Sequence, residues 1–251
     1  MAAMFPLHDT IPSRNTPLMT RGLILVNAVV FFFELTLSER SLEQFFYLFG
    51  IVPARYAHPD WAAWVGFPVE DYWPFLTHQF LHGGWTHFLG NMWTLWIFGD
   101  NVEDRMGPVR FLIFYLLCGV AAGLVQFFSQ PSSTVPCIGA SGAISGVMGA
   151  YLLWFPRSRI IMVVPLFFLP YFIEVSAFLY LGWWFLIQLF SGTLSLAASG
   201  HVGGIAWWAH VGGFVAGAVL CWVFRRPRRR RYRKFEPDEY GYKWVWGHYR
   251  D

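Results

Sequence analysis

Six apolar stretches, each near the roughly 20 residues that a helix needs to cross hydrocarbon, dominate this chain. They lie at about 19–37, 83–99, 108–128, 139–155, 169–191 and 204–224. Only helices and closed barrels satisfy their backbone inside lipid, and runs of this length favour helices. Composition agrees: 56% of the 251 residues are apolar and 13% charged, where soluble domains carry about 25% charged residues. The sequence therefore predicts an all-α membrane protein with six spans. Pro165 and Pro170 make 160–173 a poor helix, so that stretch reads as a lead-in to the fifth span.

Lys and Arg orient the bundle. Arg14 and Arg21 precede the first span, Arg105 and Arg110 separate the second and third, and Arg157 and Arg159 the fourth and fifth. Ten of the 18 basic residues follow Phe224. The alternate connections hold only Arg40 and Arg55. Both termini are then expected in the cytoplasm, giving a segment 1–18, a six-helix domain 19–224 and a basic, aromatic tail 225–251. The tail reads as a topology anchor drawn to anionic membrane lipids, with regulation through a partner as the sharper alternative; nucleic acid has only charge behind it. The start of the chain lacks the pattern of a cleaved signal peptide. The long first loop, about 38–82, carries Trp61, Trp64, Phe67, Tyr72, Trp73 and Phe75, an aromatic density suited to the membrane interface.

Two polar residues stand out in this apolar setting. Ser141 lies in Gly139-Ala140-Ser141-Gly142 and His210 in Ala209-His210-Val211-Gly212-Gly213. A hydroxyl or an imidazole in hydrocarbon is costly unless it pairs or lines a wet cavity. Gly146 and Gly149 follow the serine and Gly217 the histidine, so the two helices can approach closely. Both residues enter from the outer side, Ser141 at the first turn of its span. His210 is about seven residues into its own, roughly 10 Å down at about 1.5 Å per residue. A serine beside a histidine base is the minimum for nucleophilic hydrolysis. Taken singly, a packing serine and a cross-helix histidine are the ordinary explanations. The G-x-S-x-G pattern of soluble hydrolases is not met, since Ala143 follows Gly142. Spans four and six offer no acid to orient the imidazole, so the sequence predicts a dyad.

The second span adds His78, His82, His87 and Asn91. His87 and Asn91 are four apart, on one helix face, and can donate to a developing oxyanion. A metal is the rival, but Asn is a poor zinc ligand and no H-E-x-x-H is present. His78 and His82 read as structural. His201 is taken as a loop residue, and Glu34 and Glu174 are the acids inside spans. The three cysteines, Cys118, Cys137 and Cys221, lack metal-type spacing, and Cys118 and Cys221 read as small core hydrophobes.

Taken in order, these pieces resemble the rhomboid family of intramembrane serine proteases. The resemblance covers roughly residues 18–224, with Gly99, Glu103, Arg105 and Gly107 also matching at the exit of the second span. It implies a six-helix rhomboid-like bundle with a long interfacial first loop and a water-accessible cavity. Ser141 would be nucleophile and His210 base, with His87, Asn91 and the Ser141 N–H as oxyanion hole. Substrates would be membrane-anchored proteins cut in or near a transmembrane helix, with no cofactor and no metal. Two positions depart from the pattern. Ser145 stands where some members have a Tyr that packs the histidine, and Trp73-Pro74 where familiar members carry Trp-Arg. The alternatives are a catalytically silent relative that binds transmembrane helices, and a channel or carrier, which would need more buried carboxylates. Six spans without an added helix or targeting sequence suggest a prokaryotic cytoplasmic membrane. Oligomeric state is not legible.

Overall fold

In the computed structural model, described for residues 5–68, 70–166, 169–197, 205–226, 230–238 and 241–249, six long helices form the bundle. They are α1 (Leu18–Glu34), α6 (Trp85–Met106), α7 (Pro108–Ser129), α8 (Ser141–Trp154), α9 (Ala177–Ala197) and α10 (Trp207–Phe224). Four short helices lie between α1 and α6: α2 (Glu39–Phe49), α3 (Pro53–Ala57), α4 (Pro59–Val65) and α5 (Pro74–Thr77). Among the described residues, α7, Ala177–Leu196 of α9, and α10 are long and apolar enough to cross a membrane, and α8 is a shorter apolar helix. The outward faces are apolar too, with Leu25, Val29, Phe178, Trp183, Phe190, Val219 and Trp222 all exposed. Polar side chains turn inward: Asn27, Glu34, Asn91, Glu103, Gln126 and Gln188 are buried. That inversion suits a helix bundle in lipid.

Helix α8 sits at the centre, with every residue from Gly142 to Tyr151 buried. At about 1.5 Å per residue its 14 residues rise about 21 Å, against roughly 30 Å of hydrocarbon. Glycines let its neighbours touch backbone. A Cβ at Gly142 would lie 2.6 Å from Cβ of Ala122 on α7, and one at Gly146 would lie 2.5 Å from Cβ of Cys118. On α10, Gly213 and Gly217 face the carbonyl oxygens of Gly142 and Gly146. Both helices thus carry small residues four apart, the spacing that permits close packing.

Local chemistry sets the helix ends. Proline opens α3, α4, α5 and α7, where its missing N–H costs nothing. Helix α6 runs on to Met106, past the expected end near 99, because nothing interrupts it until Gly107 (φ 78°) and Pro108. Helix α1 has no side-chain cap of its own. Its first turn is capped instead by Glu103 of α6, which accepts from the Met19 N–H (3.0 Å), the Thr20 N–H (2.8 Å) and the Thr20 hydroxyl (2.8 Å).

The all-α expectation fails at this end of the bundle. Residues 159–176 form an antiparallel hairpin of β2 (Arg159–Leu166) and β3 (Leu169–Ser176), and β1 (Phe5–Asp9) pairs with the other edge of β2. The fifth helix therefore starts at Ala177, not near 169. Glu174 is a strand residue paired with Arg159 at 2.9 Å, not an acid within a span. Pro165 and Pro170 stand opposite one another, where an extended chain tolerates them better than a helix. Strand β1 and the segment after it are tied down as well. Trp93 Nε1 donates to the Pro6 carbonyl (2.6 Å), Asn101 Nδ2 to Asp9 (2.9 Å), and the Arg14 and Asn15 N–H groups to Asp104 (3.2 Å each). Tyr151 also bonds Asp9 and Ser158. The tail contains a second hairpin, β4 (Arg230–Asp238) with β5 (Gly241–Tyr249).

At the opposite end, the 38–82 connection is mostly helical, and Trp64, Tyr72 and Trp73 are exposed. Arg55, read as a topology charge, is buried and holds the loop together. It pairs with Asp71 at 2.9 Å and donates to the Pro68 carbonyl at 3.1 Å. Pro74 begins α5 and offers its carbonyl to His78 Nδ1 (2.9 Å). His201 lies outside the described residues.

Candidate active site

Helix α8 begins where the chain turns through Gly139, whose φ of +124° strains any residue with a Cβ. The Gly139 N–H is anchored on the His78 carbonyl (2.8 Å), and Ile51 bridges to Cys137 just before it. Ser141 is thus the first residue of α8. The leading N–H groups of a helix lack intrahelical acceptors and carry the positive end of its dipole.

Helix α10 starts at Trp207, so His210 lies in its first turn rather than about seven residues in. The structure brings the two residues together: His210 Nε2 is 2.8 Å from Ser141 Oγ. The other ring nitrogen, Nδ1, is 2.8 Å from Oε1 of Gln188 on α9. Two tryptophans flank the imidazole, Trp184 with ring centroids 5.9 Å apart and Trp207 at 6.4 Å. These indoles, rather than a side chain four residues after the serine, are the aromatic neighbours of the ring among the described residues. Ser145 itself turns back along α8, its hydroxyl donating to the Ser141 carbonyl (2.6 Å). Trp208, next in α10, donates to the Gly192 carbonyl at 3.0 Å, and Tyr151 lies with Asp9 and Ser158.

His87 and Asn91 come from the first turns of α6. A Cβ at Gly139 would lie 2.6 Å from Cε1 and Nε2 of His87 and 3.6 Å from Ser141 Oγ. The His87 ring therefore covers Gly139 beside the serine. Asn91 is buried, and its Nδ2 has no hydrogen-bond partner among the described residues. A buried amide donor without an acceptor is uncommon, and an oxygen entering the site would supply one. His82 packs its ring against those of Phe31, His87 and Phe88. The carboxylate of Glu34 accepts from the His82 backbone N–H (3.2 Å to each oxygen), so Glu34 joins α1 to the turn before α6. His78 is buried behind Gly139. Among the described residues no three His, Cys, Asp or Glu side chains converge as a metal would require.

Chemically, the serine hydroxyl faces an imidazole nitrogen, the opposite ring nitrogen has its own partner, and the unpartnered Asn91 Nδ2 lies one helical turn beyond His87. Such a set can take a proton from the hydroxyl and stabilise an adjacent anion. The sequence reading missed Gln188 and Trp184. A signal for the first was present: Gln188 is the only carboxamide or charged side chain in Ala177–Ala197, the same kind of oddity that marked Ser141 and His210.

Comparison with known proteins gives the same family as the motifs. A rhomboid domain profile matches residues 69–227. Rhomboid-like protein 11, chloroplastic, of Arabidopsis thaliana is 28% identical over 209 residues, 80% of this chain and 66% of its own length. Rhomboid protease GluP of Bacillus subtilis is 35% identical over 150 residues, 60% of this chain and 26% of its own. The putative rhomboid protease YdcA of the same bacterium is 35% identical over 82 residues, 33% of this chain and 41% of its own. The matched region thus spans less than two thirds of each relative. With the profile covering well over half of the sequence and the apolar helices in place, the chain belongs to the rhomboid family and is a helical membrane protein.

Proposed function

We propose that this chain is an intramembrane serine endopeptidase that cleaves peptide bonds in or near transmembrane segments of membrane-anchored proteins. The observation that carries the reading is the 2.8 Å contact between Ser141 Oγ and His210 Nε2, between two helices locked by glycines. Ser141 Oγ attacks the scissile carbonyl carbon as His210 Nε2 takes its proton. The oxyanion is stabilised by the Asn91 amide, His87 and the Ser141 N–H. The C–N bond then breaks, His210 passes the proton to the leaving amine, and an ester to Ser141 remains. Water, deprotonated by His210, attacks that ester and releases the acid. None of these steps calls for a cofactor. The protein would sit in a membrane with six spans and both termini on the cytoplasmic side, the basic tail against anionic lipid.

The test is a fluorophosphonate probe together with a model transmembrane substrate, applied to the purified protein and to Ser141→Ala and His210→Ala. Labelling and cleavage by the parent, and by neither variant, is the expected result. Activity retained in Ser141→Ala would remove the serine mechanism. A folded parent inert in both assays would favour the silent, helix-binding relative.

A further inference from the structure

Gln188 carries the argument further, within the serine-protease reading. Its side chain is buried in α9 and makes two hydrogen bonds. The amide Nε2 reaches the Trp184 carbonyl at 3.3 Å, and Oε1 faces His210 Nδ1 at 2.8 Å. A backbone carbonyl can only accept, so the amide nitrogen must be the end at Trp184 and the amide oxygen the end at His210. The reversed amide would set two oxygens against each other at Trp184. An amide oxygen also only accepts, so Nδ1 must carry the imidazole proton. Nε2 is then left with its lone pair toward the Ser141 hydroxyl, 2.8 Å away.

We propose that Gln188 is a positioning residue for the Ser141–His210 pair, fixing the imidazole in its Nδ1–H tautomer and holding the ring over the serine. The polarity of the whole relay is set from its far end: Ser141 O–H to Nε2, Nδ1–H to Oε1, Nε2–H to the Trp184 carbonyl. The same stretch of α9 supplies both this carbonyl and the indole beside the imidazole, so ring orientation and tautomer come from one helix face. An acid in this place would stabilise an imidazolium; a neutral amide selects the tautomer without adding charge. His87 on α6 is the other titratable group of the site.

The experiment compares the parent with Gln188→Leu and Gln188→Glu, reading the pH profile of the fluorophosphonate labelling rate and kcat and KM for a transmembrane substrate. Leu keeps the bulk and removes the acceptor. Labelling and kcat should fall about 10- to 100-fold with KM unchanged. That is less than the roughly 10⁴-fold cost of an enforced wrong tautomer, because Leu removes the bias without imposing the opposite one. Glu keeps an acceptor for Nδ1 and adds charge, while its second oxygen replaces the donor at the Trp184 carbonyl. It should retain labelling, and the acidic limb of the profile should move to higher pH by about one unit or more. A parent-like rate and profile in Gln188→Leu would overturn the proposal. Should Gln188→Leu fail to fold, an unmoved profile in Gln188→Glu would overturn it alone. A parent inert to the probe would instead remove the serine-protease reading, and this inference with it.

Discussion

Gly213→Ala tests whether the site depends on direct backbone contact between α8 and α10. A methyl at Gly213 would fall on the Gly142 carbonyl oxygen, far inside the 3.0 Å that real Cβ atoms keep. Backbone cannot rotate away as a side chain can, so relief requires α8 and α10 to separate by roughly 1 Å. Ser141 adjoins Gly142, and His210 is one helical turn before Gly213, so the separation acts at the dyad. The Oγ–Nε2 distance of 2.8 Å would open to about 3.8 Å, beyond the approximately 3.2 Å limit of a useful hydrogen bond. Overpacking of this kind costs about 1–3 kcal/mol of stability. Loss of the base contact should lower fluorophosphonate labelling and substrate cleavage about 10³-fold or more. The control is Gly182→Ala on α9, where an added Cβ meets nothing within 4 Å; it should keep parent activity and melt no lower. Labelling rates and thermal midpoints, measured in one detergent, separate the two effects. Parent-like labelling in Gly213→Ala would refute the claim that this contact sets the distance between serine and histidine.

Two further predictions concern the supports of the site. Glu103→Ala leaves three donors at the start of α1 without their acceptor and should cost about 2–4 kcal/mol. Glu103→Gln, which keeps an acceptor oxygen, should cost less in the same thermal unfolding assay; equal midpoints for Glu103→Ala and the parent would contradict the capping role. Burial pushes His78 down to about 4 from an unfolded value near 6.5. Its folded form is therefore neutral, and its contribution is complete above about pH 6.5 and lost as pH falls toward 4. That difference is worth up to about 3 kcal/mol, so His78→Gln should flatten the decline in midpoint between pH 6.5 and 4. The same slope in variant and parent would show that another group is responsible.

The helices of the bundle were legible because apolar runs of that length have few other stable fates. The approach of Ser141 to His210 was legible for a related reason: each is costly alone in lipid, and the glycines around both allow contact. The β2–β3 hairpin was not. Pro165 and Pro170 argued against a helix, but the pairing that makes a sheet includes β1, some 150 residues earlier in the chain, and local sequence does not encode that distance. Ser145 on α8 removed the one aromatic neighbour of His210 that the sequence pattern could have named, and Trp207 lies on the histidine's own helix. Trp184 comes from α9, across a helix contact that sequence spacing leaves free. Gln188 was visible but unread, since a carboxamide suggests no chemistry until the atom it faces is known. The start of α10 was placed too early, which made His210 deeper than its first-turn position.

The strand β1 has a consequence for how this protein is made. Its partner β2 emerges only after α1, α6, α7 and α8 have been synthesised, so β1 finds its strand partner after most of the bundle exists. Contacts of such sequence separation are slow to form. Until β2 arrives, Pro6 and Asp9 have their α6 partners, Trp93 and Asn101, and the Tyr151 hydroxyl of α8, but no strand to pair with. Pairing of β1 with β2 is thus a late event in biogenesis, completing the sheet after α6 and α8 are in place. A nascent chain stalled before Arg159 would carry an inserted serine helix with β1 still lacking its strand partner.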